Sequence, residues 1–119
     1  MSSTALADLF GSRAAEAVLL HVYHYGESYG RAVSADFAIS LDSVQRQLEK
    51  FSRAGTLVSK SQGRTLVYTW NAKSRLAARL KDLVAVIYEG ISAESRAEFF
   101  GTRRRPRAKG KPVISQAEK

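Results

Sequence analysis

The segment 41–54 carries polar side chains whose types and spacing suit contacts to a nucleic acid. Its apolar residues recur at every third or fourth position, so its polar residues fall on the opposite face of a helix. On that face Arg46 could make a paired contact to guanine and Gln45 to adenine, each contributing about 1–3 kcal/mol of discrimination between bases. The further candidates on or beside this face are Ser40, Asp42, Ser43 and Lys50.

Some of these side chains suit phosphate better than bases. Contacts to phosphate position a protein on a duplex without reading its sequence. Lys50 fits that part, and Ser43 could serve either a base or a phosphate. Arg31, at the start of the preceding predicted helix, is a third candidate for phosphate. The ordinary alternative for this whole set is a solvated helix face.

A basic hairpin is predicted directly after this helix. The run 56–70 is rich in strand-forming residues on both sides of SKSQGR, where Gly63 supplies the turn. Lys60, Gln62 and Arg64 surround that glycine. A basic tip of this kind can lie along phosphates or enter the minor groove. The alternative is an exposed turn whose charges only prevent pairing with another strand edge.

The helices that position these residues can be predicted from their start and stop signals. Helix 41–54 is predicted to begin at Ser40, whose hydroxyl can accept an unpaired backbone N–H, and to end at Gly55. A buried helix over 13–25 is predicted between Ser12 and Gly26 on the same grounds. Shorter helices are predicted at 6–10, near 31–38 and at 93–100.

A long helix is predicted after the hairpin, capped by Asn71 and running from Ala72 to about Glu89. Its apolar stripe predicts packing on the chain's own core along one edge and on a second copy of the chain along the other. An isologous dimer would set two copies of helix 41–54 about one DNA turn apart. The candidate interface residues are Leu6, Leu9, Phe10, Leu76, Leu80, Leu83, Ile87 and Ile91.

The positive charge is concentrated at the C-terminal end. Of the 119 residues, the first hundred hold 12 Lys and Arg against 10 Asp and Glu, whereas residues 101–119 hold 7 against one. The sequence thus predicts a folded domain over 1–100 and a disordered basic tail over 101–119, because the tail has too little apolar surface to offset ordering. A basic tail favours a polyanionic partner, although a solubilising tail is the alternative.

The tail contains RRRPR, a weak likeness to the minor-groove AT-hook, whose core is Arg-Gly-Arg-Pro. Arg104 stands where that core has glycine, so we expect the tail to bind phosphates without reading bases. Its affinity should then fall with salt, and each phosphate neutralised adds about 0.9 to the slope of log affinity against log salt concentration. The candidate DNA contacts in the tail are Arg103, Arg104, Arg105 and Arg107.

Several classes of function are excluded or disfavoured. The chain has no Cys, which excludes disulfides, thiolate metal sites and Cys nucleophiles. No apolar run approaches the roughly 20 residues of a membrane span, and no signal peptide is evident, so a cytoplasmic protein is expected. No catalytic constellation is found, so we expect no enzyme and no cofactor. His21 and His24 share a helix face, but packing is favoured over a metal site.

Three segments together resemble winged helix-turn-helix regulators of the ArsR/MarR type. They are LFGSRAAEAVLLHVY, SLDSVQRQLEKFSRAGTLVSKSQGRTLVY and the long final helix, and the likeness spans about residues 5–91. The tetrad LFGS also resembles stand-alone regulators whose kin are fused to nucleotidyltransferase domains. Metal-sensing members commonly carry a Cys pair on the recognition helix, so the likeness is to members that do not sense metals.

The resemblance implies a mainly α fold with a small β-hairpin, a winged helix-turn-helix with a long C-terminal dimerisation helix. It implies a homodimeric regulator of transcription, most simply a repressor, whose partner is double-stranded DNA. The alternatives are an architectural DNA-binding protein indifferent to sequence and a protein-interaction module that uses the C-terminal helix; RNA binding is a lesser option. Neither the operator nor any small-molecule effector follows from the sequence.

Overall fold

The computed structural model describes residues 3–101, so the predicted tail contacts at Arg103, Arg104, Arg105 and Arg107 and the predicted tail disorder lie outside it. The described part is mainly helical, with one small antiparallel sheet. The elements are α1 Ala5–Phe10, α2 Arg13–Tyr25, β1 Glu27–Ser28, α3 Gly30–Phe37, α4 Leu41–Arg53, β2 Leu57–Gln62, β3 Thr65–Trp70, α5 Arg75–Glu89, α6 Ala93–Arg96 and a π-helical turn Ala97–Gly101.

Serine and threonine side chains begin most of these helices. Ser12 and Ser40 cap α2 and α4 as predicted, accepting backbone N–H groups of Ala15 and Ser43. Each such cap contributes about 0.5–2 kcal/mol because it pairs a donor that the helix itself leaves free. The further side-chain caps are Thr4, Ser74 and Ser92.

Helix α2 is the centre of the core. Every residue from Ala14 to Val22 is buried, and α1, α3, α4 and α5 all pack against α2 or its neighbours. Helix α4 contributes the buried side chains of Val44, Leu48 and Phe51, as its predicted stripe requires. Leu41, predicted to belong to that stripe, is 39% exposed and lines a groove described below.

A tight turn at 38–40 joins α3 to α4. Ala38 adopts a left-handed conformation, with φ of 56°, which ends α3 one residue earlier than predicted. The Ser34 hydroxyl donates to the carbonyl oxygen of Ile39 at 2.6 Å, and the Ile39 N–H donates to the Ser34 carbonyl at 3.2 Å. These bonds secure the turn of a helix pair that is followed by a hairpin, the arrangement of a winged helix.

The sheet has the order β1-β3-β2, with every pair antiparallel. Strands β2 and β3 form the predicted hairpin, with Gln62 opposite Thr65 and the turn at Gly63. Strand β1 has only two residues, too few to show a period of two in the sequence, and it was not predicted. Its pairing with Thr69 and Tyr68 attaches the base of the hairpin to the end of α2.

Asn71 has a different position from the predicted one. Helix α5 begins at Arg75 and is capped by Ser74, whose hydroxyl accepts the Ala77 N–H. The Asn71 side chain instead donates from Nδ2 to the Gly55 carbonyl oxygen at 2.8 Å. Its Oδ1 accepts the Lys73 N–H at 3.1 Å. Asn71 therefore ties the end of the hairpin to the turn that follows α4.

Helix α5 divides its apolar residues between two sides. Ala77 and Val84 are buried against the core, with Leu80 and Ile87 half-buried beside them. The predicted interface residues Leu6 and Ile91 are buried in the chain's own core, which corrects their assignment to a surface between two copies. Phe10 is half-buried, its ring edge-on to Phe51 at 5.8 Å. The exposed members of the predicted set are Leu9, Leu76 and Leu83.

Within residues 3–101, the helices are all too short or too polar to cross a membrane.

Replacing Asn71 with Ala should lower the free energy of unfolding by about 1–2 kcal/mol, because the Gly55 carbonyl and the Lys73 N–H each lose a partner. Urea denaturation would measure the change. Lys73→Ala is the matched control, since it removes an exposed side chain and leaves the Lys73 N–H in place; it should shift stability by less than about 0.5 kcal/mol. Equal stability of N71A and the parent protein would refute the bridging role.

Candidate nucleic-acid interface

The outer face of α4 presents Arg46 next to Asp42. The Arg46 guanidinium lies 3.0 Å from an Asp42 carboxylate oxygen, one helical turn away, and the two side chains are 74% and 76% exposed. An ion pair this exposed contributes little to stability. Arg46 is therefore free to exchange its carboxylate partner for another pair of acceptors. Asp42, itself predicted as a DNA contact, is the partner of Arg46 in this ion pair.

The N-terminus of α4 holds the two predicted serines together. The Ser40 oxygen accepts the Ser43 N–H at 3.2 Å, and the Ser40 hydroxyl donates to the Ser43 oxygen at 2.9 Å. Lys50 lies two to three turns further along the helix, half-buried, with its ammonium 5.3 Å from the centre of the Phe51 ring. The predicted set thus spans most of the length of α4.

A groove separates the helix pair from the hairpin. Its volume is about 450 Å³, and it brings together Arg31 from α3, Gln45 from α4 and Arg64 from the hairpin turn. Three predicted residues from three separate segments therefore line one surface. In the described part of the chain, neither arginine forms an ion pair. The remaining lining residues are Tyr29, Gly30, Leu41, Thr65 and Leu66.

Sequence reasoning missed the apolar members of this groove. Leu41 and Leu66 are both more than a third exposed, although each is a large aliphatic residue. The available signal was Leu66 itself, an apolar residue within the polar hairpin tip. Such side chains can contact the thymine methyl group or deoxyribose.

Gly30 allows the two helices to meet at the floor of the groove. A Cβ added there would lie 3.0 Å from the Gln45 side-chain oxygen and 3.1 Å from a Leu41 methyl carbon. These separations are tighter than ordinary van der Waals contact, so the lack of a side chain at Gly30 lets Gln45 and Leu41 lie where they do.

The predicted hairpin residues do not all line the groove. Ser61 is opposite Leu66 and Gln62 is opposite Thr65, and both Leu66 and Thr65 line the groove. Lys60 and Gln62 are exposed and are not among the lining residues. The structure brings Arg64 to Gln45 and Arg31 and leaves Lys60 and Gln62 on a separate basic and polar edge.

His21 forms a buried polar cluster. Its Nδ1 lies 2.5 Å from the Ser28 oxygen and its Nε2 lies 2.8 Å from an Asp36 carboxylate oxygen. These are the residue types of a hydrolytic triad, but Ser28 is 2% exposed, so a substrate has no access to its hydroxyl. Within residues 3–101, no group of three or more potential ligand residues is placed to hold a metal ion. The cluster joins α2, β1 and α3.

His24, on the next turn of α2, is exposed on one side and contacts the C-terminal end of the described chain with its ring. Its ring stacks on Phe100 with 3.9 Å between centroids, and its Nδ1 lies 2.6 Å from the Tyr88 hydroxyl. Burial lowers the pKa of His24 to about 4, and the charges of His21 and Arg96 add to that shift. Burial also raises the pKa of Tyr88. His24 is thus a neutral packing residue at neutral pH.

The depressed pKa of His24 predicts that stability falls in mild acid. The unfolded chain binds a proton at this residue near pH 6.5 and the folded chain only near pH 4. The contribution of neutral His24 to the free energy of unfolding is therefore complete above pH 6.5, and it is lost progressively as the pH falls towards 4. His24→Phe keeps a ring against Phe100 but cannot titrate, so its unfolding midpoint in urea should decline less over this window. An NMR titration that placed the pKa of His24 near 6.5 would contradict the account.

No protein-family model and no curated protein matches this chain. Among solved structures, AntR, an antimony-specific transcriptional repressor, is 18% identical with a TM-score of 0.48, over 67% of this chain and 73% of AntR. Reduced AbfR bound to DNA is 15% identical with a TM-score of 0.52, over 78% of this chain and 69% of AbfR. Overoxidized AbfR bound to DNA has the same identity and TM-score, over 78% and 70%. At this identity the likeness to AbfR shows a shared fold.

Proposed function

We propose that this protein is a sequence-specific regulator of transcription that binds double-stranded DNA, a dimeric repressor of the ArsR/MarR type that acts in the cytoplasm. The observation that carries the proposal is the groove between α4 and the hairpin, where Arg31, Gln45 and Arg64 converge without an ion-pair partner in the described chain. AbfR, a protein of the same fold, has been solved bound to DNA.

The geometry of the duplex explains why such a groove favours DNA. The major groove is about 12 Å wide and admits an α-helix, and the adjacent minor groove admits a basic hairpin tip. One sugar–phosphate strand separates these two grooves, so it must run between the helix and the hairpin when both are engaged. Arg31 and Arg64 then flank that strand, and the aliphatic Leu41 and Leu66 meet its sugars.

The proposal divides the contacts by chemistry. Arg46, Gln45 and Ser43 read base edges from the outer face of α4, with Ser40 and Asp42 orienting them. Lys50, Lys60, Gln62 and Arg64 hold phosphates, as does Arg31 at the start of α3. Residues 1–100 form the DNA-binding and dimerisation domain, and the basic tail 101–119 adds phosphate contacts through its arginines.

Selection from a random duplex pool with the full-length protein at about 150 mM salt tests this function, and Arg46→Ala tests the reading residue. The parent protein should enrich a near-palindromic motif. R46A should relax one position in each half-site and weaken binding to the motif by about 1–3 kcal/mol. Lys73→Ala, which removes an exposed cation outside the groove, should keep the motif unchanged.

The other outcomes are equally informative. Binding without enrichment would replace the regulator with an architectural DNA-binding protein. No duplex binding at low salt would favour a protein-interaction module. An R46A protein that binds every sequence more weakly by the same factor would make Arg46 a phosphate contact only.

We infer that a second copy covers the exposed apolar side of α5. Leu76, Leu83 and Val86 share that side and are 60%, 39% and 68% exposed, and Leu9 on the adjacent α1 is 62% exposed. Val86 was not among the predicted interface residues. Four large aliphatic side chains on one surface resemble the apolar centre of a homodimer interface. The half-buried Phe10, Leu80 and Ile87 border it.

Val86→Glu should convert the dimer to a monomer, because the exposed position accepts a carboxylate in the single chain and not between two apolar faces. Light scattering after size exclusion would measure the mass. Ala78→Glu is the control, since Ala78 is exposed on the same helix on the side towards Lys81. A parent protein that is monomeric at micromolar concentration would exclude this interface.

A further inference from the structure

Gly30 is a glycine that its own backbone conformation does not require. Several described glycines have positive φ angles, which other residues rarely adopt, but Gly30 is not one of them. It is the first residue of α3, and glycine is a poor helix former. The reason for glycine at this position lies in its surroundings, because Gly30 is buried and side chains of α4 lie directly against it.

The side chain of Gln45 occupies the space that a side chain at position 30 would need. A Cβ added to Gly30 would lie 3.0 Å from the Gln45 Oε1, 3.1 Å from its Cδ and 3.1 Å from a Leu41 methyl carbon. At Gly90, by comparison, the nearest atom to an added Cβ is the Ile87 carbonyl oxygen at 3.5 Å, which is an ordinary contact. Close packing of two α4 side chains therefore distinguishes Gly30.

The Gln45 amide is placed by packing, and its polar atoms remain available. Within residues 3–101 this amide forms no hydrogen bond, although Gln45 is exposed and lines the groove. A glutamine on an open helix surface samples many rotamers, and a ligand has to order it. Contact with Gly30 restricts the side chain before any ligand arrives, so less ordering is needed on binding.

We propose that Gly30 is a positioning residue for base reading, because its contact with Gln45 holds the amide where it can make a paired contact to one adenine. In that contact the amide oxygen accepts from the adenine N6 amino group and the amide nitrogen donates to N7. Helices α3 and α4 thus select this base together, although Gly30 touches no DNA. The inference rests on the proposed DNA-binding function and adds to it the residue that sets this preference.

Gly30→Ala should remove this preference and leave the rest of the interface in place. A Cβ at position 30 requires the Gln45 amide and the Leu41 methyl group to move together. Hydrogen bonds weaken steeply as donor and acceptor lose alignment, so a paired contact is sensitive to such a displacement. Arg46 pairs with Asp42 on the outer face of α4 and is not among the residues that line the groove. Its contribution should be unaffected.

A base analogue in the motif enriched by the parent protein tests this role. In 7-deazaadenine a C–H group replaces the N7 acceptor, and the analogue is placed at each adenine of the half-site in turn. One replacement should weaken binding of the parent about tenfold. The same replacement should change the affinity of Gly30→Ala by less than about twofold, because the amide no longer reaches N7. Gly90→Ala is the matched control and should keep the tenfold loss.

Side-chain ¹⁵N relaxation reports the contact in the full-length protein without DNA. The Nε2 of Gln45 should be more ordered than that of Gln62, which is exposed on the hairpin outside the groove. Gly30→Ala should bring the order of Gln45 down to that of Gln62.

Gln45→Asn tests the same contact without altering α3, which matters if Gly30→Ala fails to fold. Asparagine is one methylene shorter, so its amide cannot lie against Gly30 as the Gln45 amide does. This variant should also lose the sensitivity to 7-deazaadenine. Retained sensitivity in Gln45→Asn would show that the contact with Gly30 is not needed.

The outcomes separate this role of Gly30 from the proposed function. If the parent protein binds no duplex, the proposed function fails and the role of Gly30 fails with it. If the parent binds its motif but no adenine is sensitive to the analogue, DNA binding stands and the role of Gly30 is wrong. The role is also wrong if Gly30→Ala keeps the full tenfold loss. Loss of analogue sensitivity in Gly30→Ala, together with a more mobile Gln45 amide, supports it.

Discussion

The position of α4 relative to the hairpin depends on one buried imidazole. His21 lies between Ser28 and Asp36, so α2, β1 and α3 all meet at its ring. Strand β1 pairs with β3, which carries the hairpin, and α3 leads through a three-residue turn into α4. Because a buried polar group without a partner costs about 1–3 kcal/mol, each of these elements is held to a single arrangement around the ring. The contacts of His21 thereby position both the hairpin and α4.

The shape of the groove depends on these contacts of His21. Its walls belong to α3, α4 and the hairpin, and its width depends on how the three are set against each other. Gly30 lets the floor close up to Gln45, and Asn71 fixes the far end of the hairpin to the turn after α4. Polar contacts therefore set the shape of the candidate interface, while α2 and the inward stripe of α4 supply the apolar burial.

Local signals in the sequence predicted most of the fold. Ser12, Ser40 and the left-handed Gly11, Gly26 and Gly63 act on their immediate neighbours, so their effects can be read from a short window. Asn71 misled because it lies shortly before a helix and has the residue type of a cap, while its true partner, Gly55, is sixteen residues away. The same limit applies to β1, whose two residues are a strand only because β3 lies beside them.

The sequence singled out polar residues that line the groove, but neither its apolar members nor its assembly was predicted. Side-chain type and position on a predicted helix or turn identified Arg31, Gln45 and Arg64, but their convergence requires the packing of three elements. Phe99 and Phe100 were included only in a short predicted helix, since nothing local indicates that they stack on rings more than sixty residues earlier. Leu6 was predicted to lie in a dimer interface, because helical spacing does not show which side of a short helix meets the core.

The pairing of Arg46 with Asp42 has a consequence for how the protein would search DNA. On the proposed mode of binding, a noncognate duplex meets an arginine whose charge is balanced by the carboxylate 3.0 Å away. Because so exposed an ion pair is weak, Arg46 can exchange that partner where a base offers two well-placed acceptors. On the same mode, the Asp42 carboxylate would repel phosphate and so shorten the lifetime of nonspecific complexes. On this mode of binding, the Asp42 carboxylate weakens binding to noncognate sequences, and the protein reaches its cognate site sooner.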